Sequence, residues 1–435
     1  MKHGLLGWGR YPQTPQASRR VAWQVEIADA IRSTAHPTLA HGNGRSYGDS
    51  CLAASGTVVH MNRLNRVIAA DWTSGVLRAE AGITLGEILE LSVPKGWFLP
   101  VTPGTKFVTL GGAVANDVHG KNHHRAGTFG RHVRAFELHR SDMESRLCSP
   151  ALNTELFNAT IGGLGLTGIM SWIELQLVPI NGPSVDTVTV RFGSLEAFFD
   201  LAARFDESHD YGVAWVDCLA SGRNLGRGIY IAARHASGDG PTHPPSKRFR
   251  VPFTPPVPVV NGVTTRLFNP LHWHMAPARE TSRTMHFDPY FYPLDGIHEW
   301  NRLYGNNGFQ QFQCVIPEEQ SEAGISSVLK TVARSGLASF LTVLKRCSDI
   351  PSPGILSFPM KGVTLAIDFA QSARLANGLL PELDRIVHEH GGRLYPAKDA
   401  HMSARDFQSA YPAWKQVETL RDPALNSAFW KRVTA

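Results

Sequence analysis

The sequence predicts an α+β fold of two or three domains, and three observations carry that prediction. At 435 residues the chain exceeds one ordinary domain of about 100–200 residues. Residues 1–182 alternate short strand-like runs with three glycine-rich loops. From about residue 183 the character changes to longer strands and helices, and these run to about 394. A hydrophobic content of 43% with 18% charged residues suffices for a sizeable core and excludes a disordered chain.

Taken in order, Thr38-Leu39-Ala40 reads as a strand entering the first glycine loop. Thr57 to Met61 is a β-branched run. Arg66 to Ala70 and Val76 to Ala81 are strands split by the turn 71–75. Thr84 to Leu91 reads as a helix, with Thr84 as cap, Glu87 three residues on, and Pro94-Lys95-Gly96 as the stop. In the second part, Val185 to Phe192, Gly212 to Cys218 and Gly362 to Phe369 read as strands, and Glu318 to Ser335 as an amphipathic helix. The Pro-rich, basic stretch 238–260 is expected to be a mobile loop.

Composition narrows the function. A formal charge of +6 suits an anionic ligand, an acidic membrane surface or nucleic acid. The longest basic cluster is Lys247-Arg248-Phe249-Arg250, and no basic stripe interleaved with stacking aromatics accompanies it, so nucleic-acid binding is not expected. Cysteines 51, 148, 218, 314 and 347 are widely spaced without a C-x-x-C pair. That excludes a zinc site or disulfide framework and points to a reducing compartment. His119 and His123 have an i, i+4 spacing, but Gly120 weakens the helix a metal pair would need, so no metal is expected. The N-terminus lacks a signal-peptide h-region, and the uncharged stretch 156–173 is broken by four glycines. The expected location is cytoplasmic.

The glycine loops carry the chemistry. Gly42-Asn43-Gly44-Arg45-Ser46-Tyr47-Gly48 can form a nest of backbone N–H groups around an anion. Pro103-Gly104-Thr105 leads to Gly111-Gly112 before a short helical run through Asn116, and then to His119-Gly120-Lys121-Asn122-His123-His124. A helix start suits a pyrophosphate or the polar edge of a ring. The third loop, Gly162 to Gly168, contains a formal G-x-G-x-x-G. A helix-like run (Asn153 to Thr160) precedes it and a strand-like run (Met170 to Val178) follows, the reverse of a Rossmann unit. Three such loops can instead wrap one extended dinucleotide in a groove.

These strings, with Gly7-Trp8-Gly9-Arg10, Glu299-Trp300-Asn301-Arg302 and Ala397-Lys398-Asp399, resemble the FAD-linked oxidases of the vanillyl-alcohol oxidase superfamily. Within it, they are most similar to the oxidase subunits of decaprenylphosphoryl-ribose 2′-epimerases. The resemblance implies a two-part FAD domain (1–182 and 393–435) with an inserted substrate domain (183–392) built on an antiparallel sheet. It implies FAD contacts from Gly42 to Tyr47, Pro103, Gly104, Thr105, Gly111, Gly112, Asn116, His119, Gly120, Asn122, His123, Gly168, Ile169 and Tyr395. Covalent relatives carry a flavin-linked histidine where Arg45 stands, so dissociable FAD is implied. The catalytic set it implies is Lys398, His119, Gln313, Gln311 and Tyr47. Gln311 and Gln313, two apart, share one face of a strand. Lys121, Trp215, Tyr292, Lys345 and Ala366 fall at substrate-cavity positions, with a place in the core the alternative for Trp215 and Tyr292, while Arg302 either contacts phosphate or supports structure. Mycobacterial members have a cysteine at the place of Ala366. A charged Lys398 stabilising an anion is favoured, because a neutral one needs its pKa to fall from about 10.4 to near 7, about 4–5 kcal/mol.

The implied reaction is oxidation of the 2-hydroxyl of a polyprenylphosphoryl-ribose to a ketone. A short-chain reductase partner would then complete an epimerisation to arabinose. Loop 238–260 would cover the site or touch the inner membrane face. An alditol or aldonolactone oxidase is the rival reading, and a non-catalytic binding protein the remoter one.

Overall fold

The computed structural model describes residues 6–34, 37–238, 240–244 and 249–435. Lys247 and Arg248 of the basic cluster therefore lie outside the described residues.

Three sheets organise the chain. The first is parallel and small, in the order Ala17–Arg20, Thr57–His60, Thr38–His41. The second is antiparallel, in the order Val67–Asp71, Val76–Glu80, Ile169–Gln176, Val133–His139, Arg146–Cys148. The third has eight antiparallel strands: Thr281–His286, Ser184–Phe192, Gly228–His235, Tyr211–Val216, Thr342–Cys347, Gly362–Ala370, Phe309–Pro317 and Arg393–Leu394. This mixture of helices with antiparallel sheets is the predicted α+β class, and the helix Thr154–Thr160 before strand Ile169–Gln176 leaves no Rossmann unit there.

Local rules explain most elements. Thr84 Oγ1 accepts the Glu87 N–H while the Glu87 carboxylate accepts the Thr84 N–H, so a complete capping box starts helix Leu85–Ser92. Alternation decides the faces of the large sheet. Phe312, Cys314 and Ile316 pack with Val363, Leu365, Ile367 and Phe369 against helices Ser321–Ser335 and Leu380–Glu389. Their neighbours Gln311, Gln313, Thr364, Ala366 and Asp368 therefore point to the opposite face.

The chain returns to its start. Leu425 bridges Thr38, Ser427 bridges Ala53, and strand Arg393–Leu394 hands the chain straight to residues 395–399 beside the first glycine loop. That approach is close: a Cβ on Gly48 would lie 1.7 Å from the Asp399 carbonyl oxygen. A backbone atom cannot yield as a side-chain tip can, so Gly48→Ala should destabilise the protein by about 3 kcal/mol or more, read as a lowered Tm.

The described second half of the loop 238–260 is tied to the segment 296–303. Phe249–Arg250 pairs in parallel with Ile297–His298, and Val259 N donates to Leu303 O at 2.8 Å. Arg302 Nη1 donates to the Val251 and Pro252 carbonyls at 3.1 and 2.8 Å. Proline removes backbone donors, and of those that remain Phe249, Val251 and Val259 are paired to residues 296–303. Helix Gly262–Met275 follows, started by Asn261, whose side chain accepts from Val263 N and Thr264 N. No helix is predicted there from the sequence.

Candidate active site

A cavity of about 1620 Å³ lies between the glycine loops and the polar face of the large sheet. Small-molecule pockets usually enclose about 300–1,000 Å³, so this one has room for an extended cofactor and a substrate together.

The glycine loops form one wall. Gly44 adopts φ 57°, a left-handed turn that sends the chain back toward the N-terminal segment. There Trp8 N donates to Ser46 O at 2.7 Å and Gly9 N to Tyr47 O at 3.1 Å. A Cβ on Gly42 would meet Thr109 Oγ1 at 2.3 Å, and that same oxygen caps helix Leu110–Ala115 by accepting from Gly112 N. The first two loops are thus packed together by the absence of side chains. The Arg45 guanidinium lies over the Trp8 ring at 4.1 Å and near Phe107 at 5.2 Å.

The sheet supplies the opposite wall and most of the polar chemistry. Gln311 Nε2 donates to Asp368 Oδ1 at 2.5 Å. Gln313 Nε2 donates to His119 Nε2 at 3.1 Å and to Thr364 Oγ1 at 3.3 Å. With its Nε2 accepting, His119 carries its proton on Nδ1, which is buried without a partner among the described residues. The His119 ring packs against Phe358 and Tyr395, and burial, aided by Lys345, His123 and Lys398, holds its pKa well below the usual value. The imidazole is neutral.

Three lysines converge on the cavity: Lys121, Lys345 and Lys398. Lys121 Nζ donates to the Tyr290 and Phe291 carbonyls at 2.6 and 3.0 Å, and burial together with Lys345 lowers it to about 7. Lys345 is also lowered by burial and has no hydrogen-bond partner among the described residues. Lys398 Nζ stands 3.7 Å from the centroid of the Tyr47 ring. Burial pulls its pKa down, Asp368 opposes the fall and Lys345 adds to it. Asp368 moves the other way: burial raises it, against the Gln311 hydrogen bond and Lys398. The buried surroundings of Lys398 thus supply the lowering that a neutral amine requires.

Most of the predicted site residues line this cavity. All five catalytic candidates do so, as do 42–47, 103–105, Gly111, Gly112, Asn116, Gly120, Gly168, Ile169, Tyr395, Lys121, Trp215, Lys345 and Ala366. Four do not, and their placement is corrected. Asn122 spends its amide on the Pro100 carbonyl at 2.8 Å. His123 is buried behind the loop, where its Nδ1 accepts from Ser348 N at 3.3 Å. The Tyr292 hydroxyl bonds Thr102 Oγ1 at 2.7 Å inside the hydrophobic core. Arg302 pairs with Glu299 at 2.9 Å and holds the Pro-rich segment, the structural alternative of the two. Sequence reasoning missed Cys51 and Phe107 on the loop wall, and Asp368. Asp368 had a signal: it is the one charge in the run Gly362–Ala370, and a buried charge calls for a partner. Among the described residues no group of three His, Cys, Asp or Glu side chains is placed to hold a metal.

The residues present fit FAD. Gly104 of the second loop has open space where a Cβ would stand, and buried polar atoms of the wall, Arg45 Nε, Ser50 Oγ and His119 Nδ1, lack partners among the described residues. Residues 19–149 match the family described as "FAD binding domain". Fold and site thus define an FAD-dependent oxidoreductase. More closely, the chain belongs to the FAD-linked oxidase family that includes the decaprenylphosphoryl-beta-D-ribose oxidase of Mycolicibacterium smegmatis. The two are 35% identical over 442 residues, covering 96% of this chain and 94% of the relative. An uncharacterised protein of Streptomyces coelicolor is also 35% identical, over 78% of this chain and 95% of its own length. A putative D-arabinono-1,4-lactone oxidase of Neurospora crassa is 26% identical over 39% of this chain and 31% of its own.

Proposed function

We propose that the protein oxidises the 2′-hydroxyl of a polyprenylphosphoryl-ribose to the 2′-keto form, using FAD that is held without a covalent bond. The carrying observation is the 35% identity to a decaprenylphosphoryl-ribose oxidase, which spans both chain ends and the inserted sheet. Bound FAD supplies the hydride acceptor. The glycine loops and Tyr395 would hold it, and Arg45, stacked on Trp8, offers no nucleophile to attach it.

The chain's own groups do the rest. The neutral Lys398 amine takes the hydroxyl proton onto Nζ, and Asp368 stabilises the ammonium that results. Gln311 fixes Asp368, and Gln313 with the neutral His119 positions the sugar. Lys345, with no hydrogen-bond partner among the described residues, meets the phosphate. The apolar wall beyond, with Val213, Ile231 and Met285, favours a prenyl chain over a free alditol or lactone. The ketone would pass to a short-chain reductase, and the lipid substrate implies peripheral contact with a membrane. Among the described residues no helix is long and apolar enough to cross one.

The test is an absorption spectrum before and after acid precipitation, followed by anaerobic addition of polyprenylphosphoryl ribose. Flavin that leaves with the supernatant and bleaches with this substrate is expected. Bleaching by free alditols alone would move the substrate to the soluble-sugar class, and a protein that takes up no FAD would refute the proposal. A second expectation concerns Ala366, which lines the cavity without a thiol. Reagents that alkylate a cysteine at that position should leave the protein mass unchanged and add to Ala366→Cys. The Cys51 thiol, on the loop wall of the same cavity, is pushed up to about 12 by burial and stays protonated.

A further inference from the structure

Helix Gly262–Met275 is inside out. Thr265 and Asn269 are fully buried, and Asn269 Nδ2 donates to Asp217 Oδ1 at 3.0 Å and to Ser339 O at 3.3 Å. On the opposite side Val263, Leu267, Leu271 and Met275 follow one another at i, i+4 spacing, and Leu267 and Met275 are 71% and 75% exposed. A water-facing helix places its apolar stripe inward. Here the polar contacts hold the helix down and the apolar stripe is presented outward. Phe253 and Val257, on the preceding segment, are also exposed. A continuous apolar face of this kind marks a surface that is covered in use.

We propose that this face seats the protein on a lipid bilayer and delivers a prenyl chain from it into the cavity. The inference rests on the lipid-linked substrate proposed above. Two observations choose a bilayer over a protein. The cavity reaches the surface on this same helix, where Phe268 and His272 line it, with Pro277 and Arg283 beside them. The substrate's tail thus enters at the docking face. Exposed Arg266, His274, Arg279 and Arg283 accompany the stripe on the helix and the strand after it, while the acidic Glu280 is paired with Arg204 at 2.6 Å and Asp186 accepts from the Thr284 hydroxyl at 2.6 Å. Apolar residues accompanied by arginine match a headgroup layer that carries anionic lipid.

The test is flotation of the full-length, FAD-loaded protein with phosphatidylcholine vesicles containing phosphatidylglycerol, compared with the double variant Leu267→Glu, Leu271→Glu. Neither leucine lines the cavity, and both are already exposed, so the variant's Tm should be no lower than that of the parent. The parent should float, and the double variant should lose partition by roughly tenfold or more. The variant should oxidise a short, water-soluble prenylphosphoryl ribose at the parental rate and lose turnover of a long-chain substrate embedded in vesicles. A parent that does not float, or a variant that floats equally well, would overturn the proposal. So would sedimentation showing a dimer that the double substitution dissolves, since the face would then cover itself. Flotation needs no turnover, so a protein that floats but oxidises neither substrate would sink the substrate reading and leave the surface standing.

Discussion

Lys398→Met should lower turnover by roughly 10²–10⁴-fold while FAD remains bound. Methionine keeps the length and removes the amine, so the loss isolates proton transfer and charge from packing. The fold should not suffer, because a buried lysine is itself costly and an apolar replacement of similar size is often neutral or stabilising. The pH profile decides the role. Burial places the Lys398 pKa below the ordinary lysine range, against the pull of Asp368. If the neutral amine accepts the proton, single-turnover flavin reduction rises as pH climbs through that lowered value and then levels. If a charged Lys398 were the working form, reduction would fall over the same interval. Asp368→Asn should shift the rising limb to lower pH, since removing the carboxylate removes what holds the proton on the amine.

Arg432→Met should cost about 3–5 kcal/mol and lower Tm by several degrees. Arg432 reaches from the helix Ala428–Thr434 to two buried carboxylates. It donates through Nε and Nη2 to Asp49 at 3.1 and 2.8 Å, and through Nη2 to Asp399 at 2.9 Å. It also donates to the Met402 carbonyl. Burial pushes the Asp49 carboxyl up despite Arg432. The same effect acts on Asp399, but His401 and Arg432 together outweigh it and leave that group below its ordinary value. Without the guanidinium Asp49 would be stranded, while Asp399 would keep only His401 and the His401 and Met402 N–H groups. Activity should fall with stability, because Asp49 follows the first glycine loop and Asp399 is the neighbour of Lys398. Arg432→Lys should recover only part of the loss, since an ammonium cannot serve both partners with a planar fork. Differential scanning calorimetry and flavin retention on gel filtration read the two effects separately.

Both predictions rest on residues of unequal legibility. The glycine loops, the Thr84–Glu87 capping box and the alternating strands were readable because each is a local rule with a local signature. Gln311 and Gln313 were placed on one face by spacing alone, and they line the cavity together. Lys398 and His119 came from resemblance, since nothing local separates a buried lysine from a solvated one. The misplacements share a cause. Asn122, His123 and Tyr292 sit beside true wall residues, and which way each turns depends on distant partners, Pro100, Ser348 and Thr102. Asp368 went unnamed because its strand reads as apolar throughout. Helix Gly262–Met275 was missed because its leucines and methionine look like ordinary core until the buried Thr265 and Asn269 show which side faces in.

The handover of the chain from the large sheet to residues 395–399 also bears on how the protein folds. Asp49 and Arg432 are 383 residues apart in sequence, yet they close the loop wall on itself. The ribosome delivers the glycine loops early, and the segment that completes them emerges only after the whole inserted sheet has been made. Until then the apolar residues around Thr38 and Ala53 have no partner in Leu425 and Ser427. Contacts of such range pay a large closure entropy before they gain anything, so this topology belongs with slow folders whose intermediates need shielding from aggregation.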